Sequence, residues 1–338
     1  MLDLGYDVLS ARQFDRDDLT RLTKVAEALE PVARGEVVCR ALEGAVMANL
    51  FFEPSTRTRI SFGTAFSRLG GTVLDTSGLE TTAIVKGESL YDTARVVSGY
   101  ADVIVVRHPT PEAARIIAGG ALVPVINGGD GEAEHPTQAL TDFFTISKEL
   151  KASGRTIDGA TIVILGDLRY GRTTHSLIAL MSVFEGLTFH LVSPEALSMP
   201  DQYADIARNR GHQVKVFRTL DEGLAGADVV YATRYQSERF QIDPQVREAA
   251  ERLRLDAASF RRHAPEHAVI LHPLPRDEVF GELSTDLDGL PNLAIFRQTD
   301  NGVPVRMALF ALILGVADTL TDHFREPTWP LRRRRANP

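Results

Sequence analysis

Short runs rich in Val, Ile and Leu alternate along this chain with stretches of helical periodicity, and that alternation restricts the fold more than any other feature. The runs Ala45–Phe52, Asp102–Arg107, Leu122–Asn127, Thr161–Gly166, Leu187–Val192, Asp228–Thr233 and Ala268–His272 read as buried strands. Between them lie amphipathic segments such as Asp18–Leu29, with Leu19, Leu22 and Leu29 on one side. Thr137–Leu150, Arg172–Phe184 and Asn301–Leu320 are the others. Strand and helix in turn predict an α/β fold with parallel sheets covered by helices on both faces. A chain of 338 residues is long enough for two such doubly wound domains. The polar, glycine-containing segment Lys151–Gly159 is the best place to divide it.

Open α/β sheets bind ligands at the carboxyl ends of their strands, so the residues that follow each strand carry the functional signal. Phe52 is followed by Glu53-Pro54-Ser55-Thr56-Arg57-Thr58-Arg59, and Val106 by Arg107-His108. Asn127 leads through a glycine-rich loop to His135-Pro136-Thr137-Gln138. Leu165 is followed by Gly166-Asp167 and then Arg172; Ala232 by Thr233, Arg234 and Gln236; Leu271 by His272-Pro273-Leu274-Pro275-Arg276. Cations and hydroxyls at strand end after strand end point to an enzyme that binds anions.

Each cluster also has a plainer reading. Ser55-Thr56-Arg57-Thr58 at a strand-to-helix junction offers unpaired N–H groups, hydroxyls and a planar guanidinium to a phosphate. It also fits an ordinary helix cap with solvated arginines. His135 opens a helix and can present a ring nitrogen to a carbonyl, with Gln138 one turn on; it also fits a structural capping histidine. Arg172 and Arg234 suit the two carboxylates of a diacid, or surface ion pairs. Pro273-Leu274-Pro275 places rigid backbone carbonyls at a strand end, and Leu274-Pro275 is a candidate cis peptide.

Several classes are disfavoured. A formal net charge of −8 argues against a nucleic-acid binder, which needs a broad basic face. The single cysteine, Cys39, excludes an internal disulfide and a thiolate metal site, and fits a reducing, cytoplasmic setting. No histidine pair stands at metal-ligand spacing, so no metal and no cofactor is expected. The glycine spacing after Leu165 is wrong for a dinucleotide loop. Met1–Asp18 carries acids and no apolar core, and Met307–Ala317 is too short for a membrane span and reads as a buried helix. Arg332–Arg335 reads as a solvated basic tail within 325–338.

Taken in order, these strings resemble the aspartate carbamoyltransferase family; Lys86-Gly87-Glu88-Ser89, Arg107-His108-Pro109 and Gly166-Asp167-Leu168-Arg169-Tyr170-Gly171-Arg172-Thr173 complete the set. The resemblance implies a carbamoyl-phosphate domain over 1–150, completed by the helix 301–320, and an aspartate domain over 151–300. It implies a homotrimer with shared active sites and transfer of a carbamoyl group to L-aspartate, an early step of pyrimidine synthesis. By resemblance Ser55, Thr56, Arg57, Thr58 and Arg107 hold the phosphate. Thr58, Arg107 and His135 polarise the carbonyl, and Gln138 with the Pro273 and Leu274 backbone orients the NH2 end. Arg172, Arg234 and Gln236 hold the aspartate carboxylates. Lys86 and Thr82 reach in from the adjacent subunit. Glu53 orients Arg172 and Arg234 on domain closure, with Arg239 holding Glu53. A regulatory chain or a partner enzyme of the same pathway is compatible with the resemblance.

The sequence departs from the family around Lys86, where Glu80, Thr82 and Val85 stand in a loop that usually carries serines and a second lysine. Gly63 and Arg169 replace the more common glutamate and lysine. Two rival readings are a transferase for another amine, such as ornithine, and a silent homologue acting as a scaffold. Pro273, standing where ornithine enzymes carry cysteine, counts against the first. The presence of Arg57, Arg107 and His135 counts against the second.

Overall fold

A computed structural model describes residues 2–3, 5–78, 87–236, 244–277 and 281–329. Lys86, Thr82, Glu80, Val85, Arg239 and the Arg332–Arg335 tail lie outside the described residues. In chain order the elements are α1 (Arg16–Arg34), β1 (Val38–Cys39), β2 (Val46–Phe51), α2 (Thr56–Arg68), β3 (Thr72–Ser77), α3 (Leu90–Val97), β4 (Val103–His108), α4 (Ala113–Gly120) and β5 (Val125–Asp130). They continue with α5 (Pro136–Ala152), β6 (Thr161–Gly166), α6 (Arg172–Met181), β7 (Thr188–Val192), α7 (Asp201–Asn209), β8 (Gln213–Phe217), α8 (Leu220–Leu224) and β9 (Val229–Thr233). The last are α9 (Pro244–Arg252), α10 (Ala257–His263), β10 (Val269–Leu271), α11 (Ile295–Ile313) and β11 (Phe324–Arg325).

Packing groups the chain into two units: Met1–Leu9, Gln13–Ala133 and Gly302–Pro338 in one, Ser10–Arg12 and Glu134–Asn301 in the other. In this grouping helix α5 falls in the second unit, and α11 divides between the two at 301/302.

The first unit is built on a four-stranded parallel sheet in the order β3-β2-β4-β5. Alternate residues of β2 and β4, Ala48, Leu50, Ile104 and Val106, bury against Ala94 of α3 and Ala114 and Ile117 of α4. Elsewhere in the unit the Phe310 ring meets Phe62 and Phe66 of α2 edge-on, with centroids 6.0 and 4.9 Å away. Helix α1 starts at a capping box in which the Asp15 carboxylate accepts from the Asp18 N–H and the Asp18 carboxylate from the Asp15 N–H.

The second unit carries a five-stranded parallel sheet, β10-β9-β6-β7-β8. Val163, Leu165, Val230, Ala232 and Ile270 pack with Leu255 and Phe260 on one face, while Ile162 and Ile164 are buried on the other. Continuous apolar strands follow from burial on both sides.

The differences from the sequence reading have local causes. Strand β5 starts three residues later than expected, because Pro124 has no N–H for the ladder. It runs through Gly128-Gly129 with a register shift against β4. The edge strands β3 and β8 escaped the pattern because their exposed, mixed side chains lack an apolar run. Helix α11 ends at Ile313, and the chain turns out of it at Gly315, whose φ of 72° suits only glycine well. There the Val316 N–H donates to the Ala311 carbonyl and the Gly315 N–H to that of Leu312, and the chain restarts as a 3-10 helix at Ala317–His323.

Candidate functional site

In each unit the first strand of the sheet lies inside it, and its followers go to both sides. The strand order therefore reverses between β2 and β4 in the first unit and between β6 and β9 in the second. Loops that leave a sheet at such a point part in opposite directions and open a crevice at the carboxyl edge. The predicted cations stand at both crevices.

In the first unit, β2 ends at Phe51 and α2 begins at Thr56. Ser55 is its N-cap in extended conformation, yet its hydroxyl makes no capping bond, so the free N–H groups of the first turn are not covered by their own cap. Arg57 is exposed on that turn and Thr58 is buried. Arg107, next to last in β4, is the register partner of Phe51, and its carbonyl accepts from the Phe52 N–H at 2.8 Å. Its guanidinium is mostly buried. Nη1 reaches the Gly128 carbonyl at 3.4 Å, and Nε faces the Glu53 carboxylate at 3.1 Å without the alignment of a hydrogen bond. Next to it the His108 ring accepts the Thr110 N–H at 3.0 Å, and burial lowers its pKa, favouring the neutral ring.

In the second unit, Gly166 ends β6 with φ 121°, and a Cβ there would lie 2.1 Å from the Thr233 carbonyl oxygen, so only glycine allows this approach of β6 to β9. The buried Asp167 carboxylate then ties the two loops together. Oδ1 accepts from the N–H groups of Arg169 and Tyr170 at 3.1 and 3.0 Å, and Oδ2 accepts from that of Gln236 at 3.2 Å. The Gln236 side chain donates to the Tyr170 carbonyl at 2.5 Å. Arg172, the first residue of α6, and Arg234, directly after β9, are both half-buried beside this tie. Arg169 is exposed, over the Tyr170 ring at 5.6 Å.

A second group in the same unit surrounds the start of α5. His135 is its N-cap; its N–H donates to Ser176 Oγ at 3.1 Å, and its Nδ1 lies 3.5 Å from Thr137 Oγ1. Gln138 donates through Nε2 to Asp142 Oδ1 at 2.7 Å. The same oxygen accepts Gln298 Nε2 at 2.7 Å, and Oδ2 accepts the Tyr231 hydroxyl at 2.8 Å. Burial, then the Asp142 charge, raise the Tyr231 pKa well above its ordinary value, so its proton stays. Gln298 Oε1 in turn accepts the His272 N–H at 2.9 Å. His272 Nδ1 accepts the Leu274 N–H at 2.9 Å, which puts the ring proton on Nε2, facing Glu282 at 2.9 Å. Leu274-Pro275 is cis, and Leu274 takes a φ of 57°.

The structure thus brings Ser55, Thr56, Arg57, Thr58 and Arg107 to one sheet edge. Arg172, Arg234 and Gln236 share another, and His135, Gln138, Pro273 and Leu274 come with that unit. Asp142, Gln298 and Glu282 were not singled out from the sequence. Asp142 did carry a signal, as an acid one turn after Gln138 inside the apolar run Ala139–Ile146. Among the described residues no cluster of His, Cys, Asp and Glu is arranged to hold a metal ion. No single described helix is long and apolar enough to cross a membrane.

Two parallel-sheet units, each with arginines at the carboxyl ends of its central strands, are the layout of an α/β enzyme. Residues 6–148 match the carbamoyl-phosphate-binding domain model of the aspartate/ornithine carbamoyltransferases and 158–313 the Asp/Orn-binding domain model. The chain belongs to the aspartate/ornithine carbamoyltransferase family. It is 51% identical over 327 residues to the aspartate carbamoyltransferase catalytic subunit of Saccharophagus degradans, covering 96% of this chain and 97% of that one. To its counterpart in Archaeoglobus fulgidus it is 45% identical, covering 91% and 98%. A crystal structure of aspartate transcarbamoylase from Trypanosoma cruzi in complex with N-(phosphonacetyl)-L-aspartic acid superposes with a TM-score of 0.84. It is 40% identical and covers 92% of this chain and 96% of its own.

Proposed function

We propose that this chain is an aspartate carbamoyltransferase, transferring the carbamoyl group of carbamoyl phosphate to the amine of L-aspartate. The observation that carries this is the placement of Arg57 and Arg107 at one strand-order reversal and Arg172 and Arg234 at the other. One pair suits a phosphate, the other a dicarboxylate. The Trypanosoma cruzi enzyme has been crystallised with carbamoyl phosphate and aspartate, in keeping with that division.

The first turn of α2, with Ser55, Thr56, Arg57 and Thr58, receives the phosphate, and Arg107 bridges towards the carbonyl. A phosphate at Arg107 competes with Glu53 for the same guanidinium, which releases Glu53 for the orienting role the resemblance gives it. His135 and Thr58 polarise the carbonyl oxygen; Gln138 and the Pro273 and Leu274 carbonyls orient the NH2 group. The donor is already activated, so the chemistry needs no nucleophilic side chain. The aspartate amine forms the new C–N bond, the carbonyl C–O bond to phosphate breaks, and the departing phosphate takes the amine proton. Placement and preformed positive groups lower the barrier.

The product, N-carbamoyl-L-aspartate, belongs to an early step of pyrimidine synthesis, and Cys39, free and buried, fits a reducing cytoplasm. A homotrimer sharing its sites, with Lys86 and Thr82 supplied by a neighbour, agrees with the apolar groups exposed on the first unit. These include Ile60, Leu74, Tyr91, Val96 and Tyr100, and a groove of about 500 Å³ lies beside Arg59, Arg68 and Asp75.

Two variants separate the half-reactions. Arg57→Ala should lower kcat about 100-fold or more, since it removes charge stabilisation of the leaving phosphate. Arg234→Ala should raise the KM for aspartate while a phosphonate donor analogue still binds, measured by steady-state kinetics and calorimetry. Normal use of aspartate by Arg234→Ala would refute the acceptor assignment.

A further inference from the structure

We infer that Asp142 is a positioning residue that fixes which end of the Gln138 amide is offered to the donor substrate, and so selects a carbamoyl over a methyl-bearing acyl phosphate. The inference rests on the proposed activity and names what tunes its donor site.

Gln138 is the one residue proposed to read the NH2 end of the donor by a side chain, and an amide side chain can present either end. With its NH2 outward it offers a hydrogen-bond donor; with its oxygen outward, an acceptor. An ionised carboxylate only accepts, and Asp142 Oδ1 takes the Gln138 NH2 at 2.7 Å. Among the described residues nothing donates to Gln138 Oε1, which is therefore the end left for a ligand. That end matches the NH2 of a carbamoyl group and mismatches a methyl.

Asp142 does the same for a second arm. Its Oδ1 also takes the Gln298 NH2, which turns the Gln298 oxygen onto the His272 N–H and seats the strand end that precedes Pro273 and Leu274. The Tyr231 hydroxyl occupies the other oxygen. The carboxylate is wholly buried, so water does not compete for these places. Asp142 thus sets the hydrogen-bond polarity of Gln138 and, through Gln298, seats the strand end whose carbonyls are acceptors in either case.

The test compares kcat/KM for carbamoyl phosphate with kcat/KM for acetyl phosphate, which carries CH3 in place of NH2, with aspartate as the acceptor. Asp142→Leu keeps the shape but accepts nothing, so Gln138 turns freely, and the ratio should fall about tenfold. Asp142→Asn should hold the ratio within about twofold, because its oxygen still accepts from both glutamines while its NH2 meets the Tyr231 oxygen. In a Gln138→Ala background Asp142→Leu should have no further effect on the ratio. If Asp142→Leu does not fold by circular dichroism, Asp142→Ala, which admits water to both amides, is read in its place. A folded variant with the wild-type ratio would overturn the inference, as would an equal fall with and without Gln138. Failure of the wild type to carbamoylate aspartate would instead remove the proposed activity.

Discussion

At the scale of single residues, the cations proposed to meet charged ligands were legible and the groups packed behind them were not. Arg57, Arg107, Arg172 and Arg234 stand out because an arginine just after an apolar strand has few structural reasons to be there. Asp142 and its partners do not stand out, because their meaning comes from neighbours 89 and 156 positions away. His175 belongs to the second kind. Its ring stacks on Tyr203 with centroids 3.8 Å apart, Nε2 donates to the Leu168 carbonyl at 2.9 Å, and Nδ1 is buried with no hydrogen-bond partner among the described residues. Burial lowers its pKa from 6.5 to about 4. Between those values the unfolded chain binds the proton and the folded chain does not. The stability this neutral ring allows is therefore complete above pH 6.5 and lost as pH falls through 4, by roughly 3 kcal/mol. Urea unfolding at pH 7.5 and 4.5 should show a drop that is smaller by about 2 kcal/mol or more in His175→Phe, which keeps the stack but cannot titrate. Equal drops in both proteins would mean that His175 does not titrate as described.

At the scale of elements, the interior strands and long helices follow from apolar runs and their period. Thr161–Gly166 was readable to the residue because it is central and buried on both faces. The edges were not, since β3 and β8 expose polar side chains and are held by ladder bonds that leave no mark in hydrophobicity. The end of α11 was misplaced for a related reason: Gly315 sits inside an apolar stretch that continues to Val316, so periodicity ran past the stop. The left-handed φ of Gly315 predicts that Gly315→Ala destabilises the fold by about 1 kcal/mol, seen as a lower midpoint in denaturant with an unchanged slope. No change would show that the turn relaxes at no cost.

At the scale of the whole molecule, two α/β units were readable from the rhythm of the chain, but the long-range partners of α5 were not. Helix α5 follows the first sheet in sequence, yet its Asp142 accepts from Tyr231 and Gln298 and its Thr145 from Asn301, which come far later. Such choices depend on side-chain partners that only folding brings together. The proposed sharing of sites belongs to this scale too. Arg57→Ala and Lys86→Ala proteins, each inactive, should regain a measurable part of the wild-type activity when unfolded together and refolded, since some mixed trimers would contain an intact site. No recovery, with mixed trimers demonstrated by mass, would count against sharing.

The central claim is the pairing of an activated carbamoyl donor with a dicarboxylate amine, and a product assay tests it most directly. Purified protein is given carbamoyl phosphate with either L-aspartate or L-ornithine, and the carbamoylated amino acid is measured by colour. The account predicts product with aspartate and none above background with ornithine. Product with ornithine alone, or with neither acceptor from folded protein, would contradict it.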